Sequence, residues 1–472
     1  MRCPLLALAA LAAAAAVLPA PAAAGPPGTW TRLTDPATGG TTEWSSLART
    51  GDGVLHVAWR RGNVADPNRD DLVHTPVAPN GAAAASTPIV TSWGIIGRSA
   101  IVADPAVGLR VLVGGQATTT TGAPNEWLST ATSADGGATW ALSAADVARG
   151  VLANEGPTAA VVDPTGAVFS VFGAVRVHRG LVAPADSETI PSFQARCCGG
   201  YANLAATESG QVWLAWHSAG NDAASRGILY QAVDPATGGP SGASARAARA
   251  TREPPRQPVA LAALRTRPGV LLAYPTPAGR LEVLDVVSGA VRPQGAGRGN
   301  SKVALAADGT GRAWLAWRTR DGRIAARRSN VGATAWGAIV RVPPARGTST
   351  VSTLVASAQD DRLDLVAQLQ VLRGSSPDTG TAAWHTQVRP GLTLVVAPSS
   401  VRSATGGVVR FRVLDAGDPV AGARVRVGSR TRVTDAAGRA SLAISDGAPA
   451  GVRAATASRS GYVPAVGSFR VR

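Results

Sequence analysis

The stretch Trp213-Leu214-Ala215-Trp216 returns as Trp314-Leu315-Ala316-Trp317, and this recurrence constrains the fold more than any other feature. In the wider windows 202–218 and 303–319, eight of seventeen positions are identical at an offset of 101. Residues 45–61 share Leu47, Ala48, Gly53, Ala58 and Trp59 with the 202–218 window at an offset of 157. Weaker echoes end at Gly114, Phe172, Tyr274 and Ala367. Each echo is a short apolar strand, a Gly-containing turn and a near-continuous apolar strand. Self-similarity at roughly 50-residue spacing is the signature of a repeat architecture.

Residues 301–341 form the clearest unit. Lys302–Ala307 reads as a first strand, Asp308–Gly311 as a turn and Arg312–Arg318 as a second strand. Asp321-Gly322 is a hairpin signal, followed by expected strands at Arg323–Arg328 and Thr334–Arg341. Four antiparallel strands per repeat predict the blades of an all-β propeller. Second strands are expected near 54–59, 109–114, 167–172, 211–216, 270–274, 312–317 and 362–367, which makes seven blades. The count falls to six if the 157–180 segment, the poorest match, is not a blade. Thr29–Leu33 is placed to supply the outer strand that closes the ring. Helical periodicity is nearly absent, and Ser143–Leu152 is its best example.

The N-terminus has Arg2, an apolar run from Leu5 to Leu18 and the small-residue site Ala22-Ala23-Ala24. This pattern predicts a secretory signal peptide over 1–24. Cys3 precedes the apolar run, where a lipid-anchor cysteine should follow it, and no other stretch is apolar enough to span a bilayer. A soluble exported chain without membrane insertion is expected. The formal net charge is +16, yet it comes from scattered arginines and a single lysine, Lys302. No basic helix or RNA-binding motif accompanies it, so a solvated basic surface is expected rather than a nucleic-acid site. After the leader only Cys197 and Cys198 remain, which excludes a disulfide framework and a Cys-x-x-Cys metal site. Export favours a strained bond between the two neighbours, with Gly199-Gly200 supplying backbone latitude; two reduced thiols are the alternative.

Ser133-Ala134-Asp135-Gly136-Gly137-Ala138-Thr139-Trp140 fits the pattern S-x-D-x-G-x-T-W at every fixed position. Ser133 and Asp135 can bond backbone amides, Gly137 can take positive φ, and Trp140 can cover the hairpin. Ser329 and Trp336 keep the same separation in a decayed copy, with Val331 and Ala333 replacing the Asp and Gly. With these residues the chain resembles the sialidase-like, Asp-box (BNR repeat) β-propeller superfamily over 28–390. The resemblance implies a structural turn between third and fourth strands, away from the ligand face. It also implies a Cys-Cys pair opening such a first strand, supporting a vicinal disulfide at Cys197-Cys198. After Pro390 tryptophan disappears and short strands recur to residue 472. The run 419–444 resembles bacterial Ig-like and carboxypeptidase-regulatory-like sandwiches, and a small sandwich is expected over 391–472. Such modules serve as spacers.

In a propeller the ends of second strands and the openings of first strands share one face. Arg60, His217 and Arg318 follow second-strand aromatics; Arg98, Tyr201, Arg256 and Lys302 open first strands. A cationic ring there would favour an anionic ligand through bidentate guanidinium–oxygen bonds. Solvated loop ends are the plainer expectation. The resembled family's hydrolases need an arginine clamp and a tyrosine–glutamate pair. No R-I-P string precedes Ser133, and no such pair can be assembled from the sequence, so no catalytic residue is assigned. The five histidines lack metal-site spacing. Asp66, Asn68, Asp70 and Asp71 have the oxygen density of a structural calcium site, the one cofactor expectation. Together these features point to a monomer binding an extracellular glycan or surface polymer without catalysis. An exo-sialidase-like hydrolase and a structural cell-surface protein are the alternatives.

Overall fold

The computed structural model describes residues 28–472 apart from 35–44, 67, 117–126, 144–147, 150–156, 173–174, 182–189, 194–198, 220–225, 249–256, 296, 298 and 374–375. Among the described residues every regular element is a strand. Seven antiparallel sheets lie between Thr31 and Val388, and two more between Thr393 and Val471.

The second strands of the seven sheets are Leu55–Gly62, Gly108–Gln116, Val168–Phe172, Val212–Ala219, Val270–Pro275, Arg312–Arg318 and Arg362–Arg373. Each falls on an echo of the sequence repeat. First strands of consecutive sheets touch in turn, and that of the seventh returns to that of the first. Every consecutive pair of sheets also shares an apolar cluster. The sheets therefore close into a ring, a β-propeller. This explains the sequence pattern: a second strand packed between two neighbouring sheets is buried on both faces, so it reads as a continuous apolar run. In Arg312–Arg318 the five central residues are all buried.

The turns follow from side-chain chemistry. Asp308 Oδ1 accepts from the amides of Thr310 and Arg312 at 3.0 Å each, and Gly311 takes φ +81°. Asp163 repeats this with Thr165 and Ala167, both at 2.9 Å. Such Asx-type bonding fixes a tight hairpin wherever Asp-x-x-Gly recurs.

The ring is closed by the N-terminal strand Thr31–Arg32. It pairs antiparallel with Ser376–Val388, with Thr31 opposite His385 and Arg32 opposite Trp384. The expectation for Thr29–Leu33 is thus met. The same seam carries a buried ion pair, Arg49 Nη2 to Asp364 Oδ2 at 2.6 Å. Two expectations are corrected. The fourth strand of the sixth sheet is Val340–Val342 instead of Thr334–Arg341, because 329–336 is a closed turn with Ser329 bridged to Trp336. Of the stretch Ser143–Leu152, the described part includes a short strand, Ala148–Arg149, and most of the rest lies outside the described residues.

Residues 392–471 have their own core, with Phe411 edge-on to Phe469 at 6.4 Å. Strand Gly407–Asp415 alternates strictly there: Val409, Phe411 and Val413 point in, while Val408, Arg410 and Arg412 point out. This unit is fastened to the sixth sheet. Arg312 Nη2 meets Asp418 at 2.6 Å, Arg328 bonds Asp415, and Gly391 bridges to Ala338.

Candidate functional site

First strands open and second strands end on one face of the ring, and most first strands there are irregular. Register shifts interrupt them between Ile96 and Ser99, Gly200 and Asn203, and Ser301 and Ala304. A bulge re-aims side chains and is common beside binding sites. Tyr201 and Lys302 sit at equivalent points of two such bulges with left-handed φ of 55° and 51°. Neither is a glycine, so the surrounding pairing must hold a costly backbone conformation.

Arg98 and Tyr201, from the second and fourth sheets, come together: the guanidinium lies 4.7 Å from the ring centroid. Lys302 and Arg318 also come together, lining one pocket of about 450 Å³ between the fifth and sixth sheets. His217 is placed differently. It is buried beneath Gly200, its Nε2 lacks a hydrogen-bond partner among the described residues, and burial pushes its imidazole pKa down. Arg60 Nη1 donates to the Ile96 carbonyl at 2.8 Å, and its Nε faces Asp70 at 3.2 Å. Arg256, Cys197 and Cys198 lie outside the described residues.

The described ones among these positions lie away from the axial channel. The axial channel, about 210 Å³, is lined by inner-strand residues such as Ser46, Ala100, Ala160, Asn203, Ala304 and Val355. Arg60, Arg98, Lys302 and Arg318 are not among its described lining residues. Lys302 and Arg318 instead line the off-axis pocket between the fifth and sixth sheets.

The calcium expectation is not supported. Asp66 pairs with Arg69 at 3.3 Å, and Asp70 accepts from the Ile96 amide at 2.9 Å besides facing Arg60. Asp71 is buried and accepts from Arg61 at 3.1 Å, Asn63 at 2.8 Å and the Ser92 amide at 3.0 Å. Asn68 donates its amide to Asp66 at 3.0 Å. The oxygens are held by guanidinium and amide groups and organise the loop. Among the described residues no cluster of three His, Cys, Asp or Glu could hold a metal ion.

A tyrosine and a glutamate do stand opposite one another, and the sequence did not reveal it. Tyr274 faces Glu282 in register on neighbouring strands of the fifth sheet. Burial, then the Glu282 charge, pushes the Tyr274 phenol pKa above its ordinary value. Tyr274 is 1% exposed and belongs to the apolar cluster between the fourth and fifth sheets. A nucleophile needs access to substrate and a lowered pKa, and this phenol has neither.

The 133–140 turn is closed as its residues suggest. Gly137 N donates to Ser133 Oγ at 2.8 Å, and Thr139 donates its amide at 2.9 Å and its hydroxyl at 2.6 Å to Asp135. Those bonds hold the exposed Asp135 carboxyl below the usual range. Trp140 Nε1 returns to the Gly137 carbonyl at 3.1 Å, and the ring meets His74 edge-on at 5.4 Å. In the second copy Asn330 takes the aspartate's part, accepting from the Ala335 amide at 2.7 Å. Ala333 holds the glycine position at φ +54°.

No family model matches the chain, and no curated protein matches it. Solved structures similar to it include a protein of unknown function from Dyadobacter fermentans, 11% identical with TM-score 0.44, covering 77% of this chain and 99% of that one. The α-L-arabinofuranosidase Arb93A from Fusarium graminearum is 14% identical with TM-score 0.45, covering 77% and 98%. The fucose-recognising lectin from Aleuria aurantia, a six-bladed propeller, is 11% identical with TM-score 0.38, covering 87% and 97%. At these scores the likeness carries no weight of its own, and the propeller rests on the sheet order and ring closure described above.

Proposed function

We propose that the chain is an exported, monomeric binding protein for an extracellular glycan or surface polymer, built as a seven-bladed sialidase-like propeller followed by an Ig-like sandwich. The observation that carries this reading is the open pocket holding Lys302 and Arg318, on the face that also bears the Arg98–Tyr201 stack. A concave site of several hundred Å³ with a few convergent polar groups suits a small ligand. The bonding of Ser133, Asp135 and Thr139 supports an Asp box there, and the leader-like start supports export. The hydrolase reading lacks support, since Tyr274, the tyrosine that faces Glu282, is buried in the core.

A glycan array combined with a fluorogenic sialoside assay tests the reading. Binding without turnover is expected. Turnover of the sialoside would replace it with the hydrolase, and no binding to any glycan would leave a structural protein. We propose further that Cys197 and Cys198 form a vicinal disulfide that stiffens the entry to the fourth blade. Intact mass before and after alkylation under non-reducing conditions should show no free thiol.

A further inference from the structure

The pocket between the fifth and sixth sheets has a sharper chemistry than its place on the open face requires. Among the described residues its lining includes two cations, Lys302 and Arg318, and no carboxylate. Arg318 Nε is buried with no hydrogen-bond partner among the described residues. Arg318 forms no ion pair among the described residues, and a guanidinium in a pocket wall can donate charge-assisted bonds to an oxyanion. Lys302 is delivered to the same pocket by the left-handed residue of a bulge. At the matching points of the fourth sheet the residues are Tyr201 and His217, so the paired cations distinguish the sixth sheet from its closest repeat.

The walls are stiff. Gln257 donates to the Val303 carbonyl at 2.6 Å and accepts from the Leu354 amide at 3.2 Å, tying the segment before Ala260–Ala263 to the first strands of the sixth and seventh sheets. Asn300 Nδ2 donates to the Gly279 carbonyl at 2.9 Å. A Cβ on Gly279 would lie 2.3 Å from the Gly299 amide nitrogen, so two loops approach there as only glycine permits. A site held this way loses little entropy when a ligand enters. The rest of the lining is apolar or weakly polar, including Pro275, Pro277, Ala278 and Thr276.

We propose that this pocket seats the oxyanion of an acidic sugar, carboxylate or sulfate, on Arg318 and Lys302, with the sugar body against the Pro275–Ala278 loop. The proposal rests on the reading of this face as saccharide-binding and names the ligand class. Titration calorimetry on the full chain, at low and physiological salt, would compare D-glucuronate, D-glucose 6-sulfate, D-glucose and inorganic sulfate. At least one acidic sugar is expected to bind about tenfold or more tightly than glucose, and Arg318→Gln to lose about that factor, as expected for a charge-assisted bond. Lys302→Gln should lose less and reduce the salt dependence. Preference for glucuronate, for the sulfate ester or for neither marks the oxyanion as carboxylate, sulfate or charge alone. Equal binding of glucose and both acidic sugars overturns the proposal, as does affinity for them unchanged in both variants. If no sugar binds while inorganic sulfate binds and requires Arg318, the saccharide reading fails and the oxyanion seat stands. If neither acidic sugar nor sulfate binds, the seat falls, and glucose or array binding alone decides the broader reading.

Discussion

Arg328, in the third strand of the sixth sheet, donates to the carboxylate of Asp415 across the composition break near residue 390. Both side chains are almost wholly buried, and the guanidinium also lies between Trp314 at 5.4 Å and Tyr462 at 5.7 Å. Arg328 Nη1 donates to the Asp360 carbonyl at 2.7 Å, and Arg312 stands 3.5 Å from the same Asp415 oxygen. The C-terminal unit is therefore gripped by side chains of the ring as well as joined by its chain.

Arg328→Met removes one partner of a buried pair and leaves Asp415 with a longer contact to Arg312. Breaking such a pair costs about 3–5 kcal/mol. Calorimetry should show the unfolding endotherm splitting in two, with faster proteolysis near residue 390. One unshifted transition would show that the grip contributes nothing.

Gly137 tests the 133–140 turn. Its φ is +91°, and an added Cβ would lie 2.1 Å from the His74 ring, whereas a Cβ on neighbouring Gly136 meets nothing within 4 Å. Gly137→Ala should destabilise by roughly 2–4 kcal/mol through strain and clash, and Gly136→Ala by about 1 kcal/mol through backbone strain alone. Denaturant midpoints of the two variants measure the difference. Equal losses would mean that the His74 contact does not matter.

These contrasts mark what could be read from the sequence. Second strands were legible because a doubly buried strand must be apolar throughout, and the turns because Asp-x-x-Gly carries its own bonding. Closure through Thr31–Arg32 was legible from a strand left over before the first repeat. The Arg328–Asp415 contact was not, since its partners are 87 residues apart and Asp415 belongs to no repeat. The surroundings of the expected cationic residues were hidden for a similar reason. Strand ends give the face on which Arg60 and Arg318 emerge, but not that Asp70 meets one while a pocket opens beside the other. For Asp66, Asp70 and Asp71, oxygen density was visible in the sequence and the arginines answering each carboxylate were not. The Tyr274–Glu282 juxtaposition arises from strand register, which spacing alone does not reveal.

His56 and His74 are a second relationship that spacing hides. Their rings stack at 5.1 Å with His56 Nδ1 and His74 Nε2 2.9 Å apart, so at least one ring must be neutral. Burial pushes each pKa down to about 4. An unfolded histidine titrates near 6.5, so the unfolded chain binds more protons between pH 6.5 and 4. Stability is therefore full above about pH 6.5 and falls as pH drops toward 4, by on the order of 3 kcal/mol for each ring. Urea unfolding at pH 7, 5.5 and 4.5 should show this decline, and the double variant His56→Phe with His74→Phe should flatten it. An equally steep decline in the double variant would place the acid sensitivity elsewhere.

Asp364 closes the ring and should respond in a different window. It is 1% exposed and joins the seventh sheet to Arg49 of the first at 2.6 Å, to His385 at 2.7 Å and to Gln387 at 3.1 Å. Burial alone would raise its carboxyl pKa, but the His385 bond and the Arg49 charge outweigh it and hold the pKa below the usual value. A depressed carboxylate contributes stability above its unfolded pKa and loses it only as pH falls through the folded one. The Asp364 contribution is thus intact throughout the window in which the two histidines weaken the fold. Asp364→Asn keeps the volume and removes the charge, leaving Arg49 partly buried without its counter-ion. A loss of about 3–5 kcal/mol is expected at pH 7, undiminished at pH 5.5. Because the pair is shielded from solvent, added salt should change that loss little. The difference between wild-type and variant unfolding free energies, taken at both pH values and two salt concentrations, checks all three statements. A difference that shrinks with salt would show the seam to be held as a surface contact, and one that vanishes would leave ring closure to the Thr31–Arg32 strand alone.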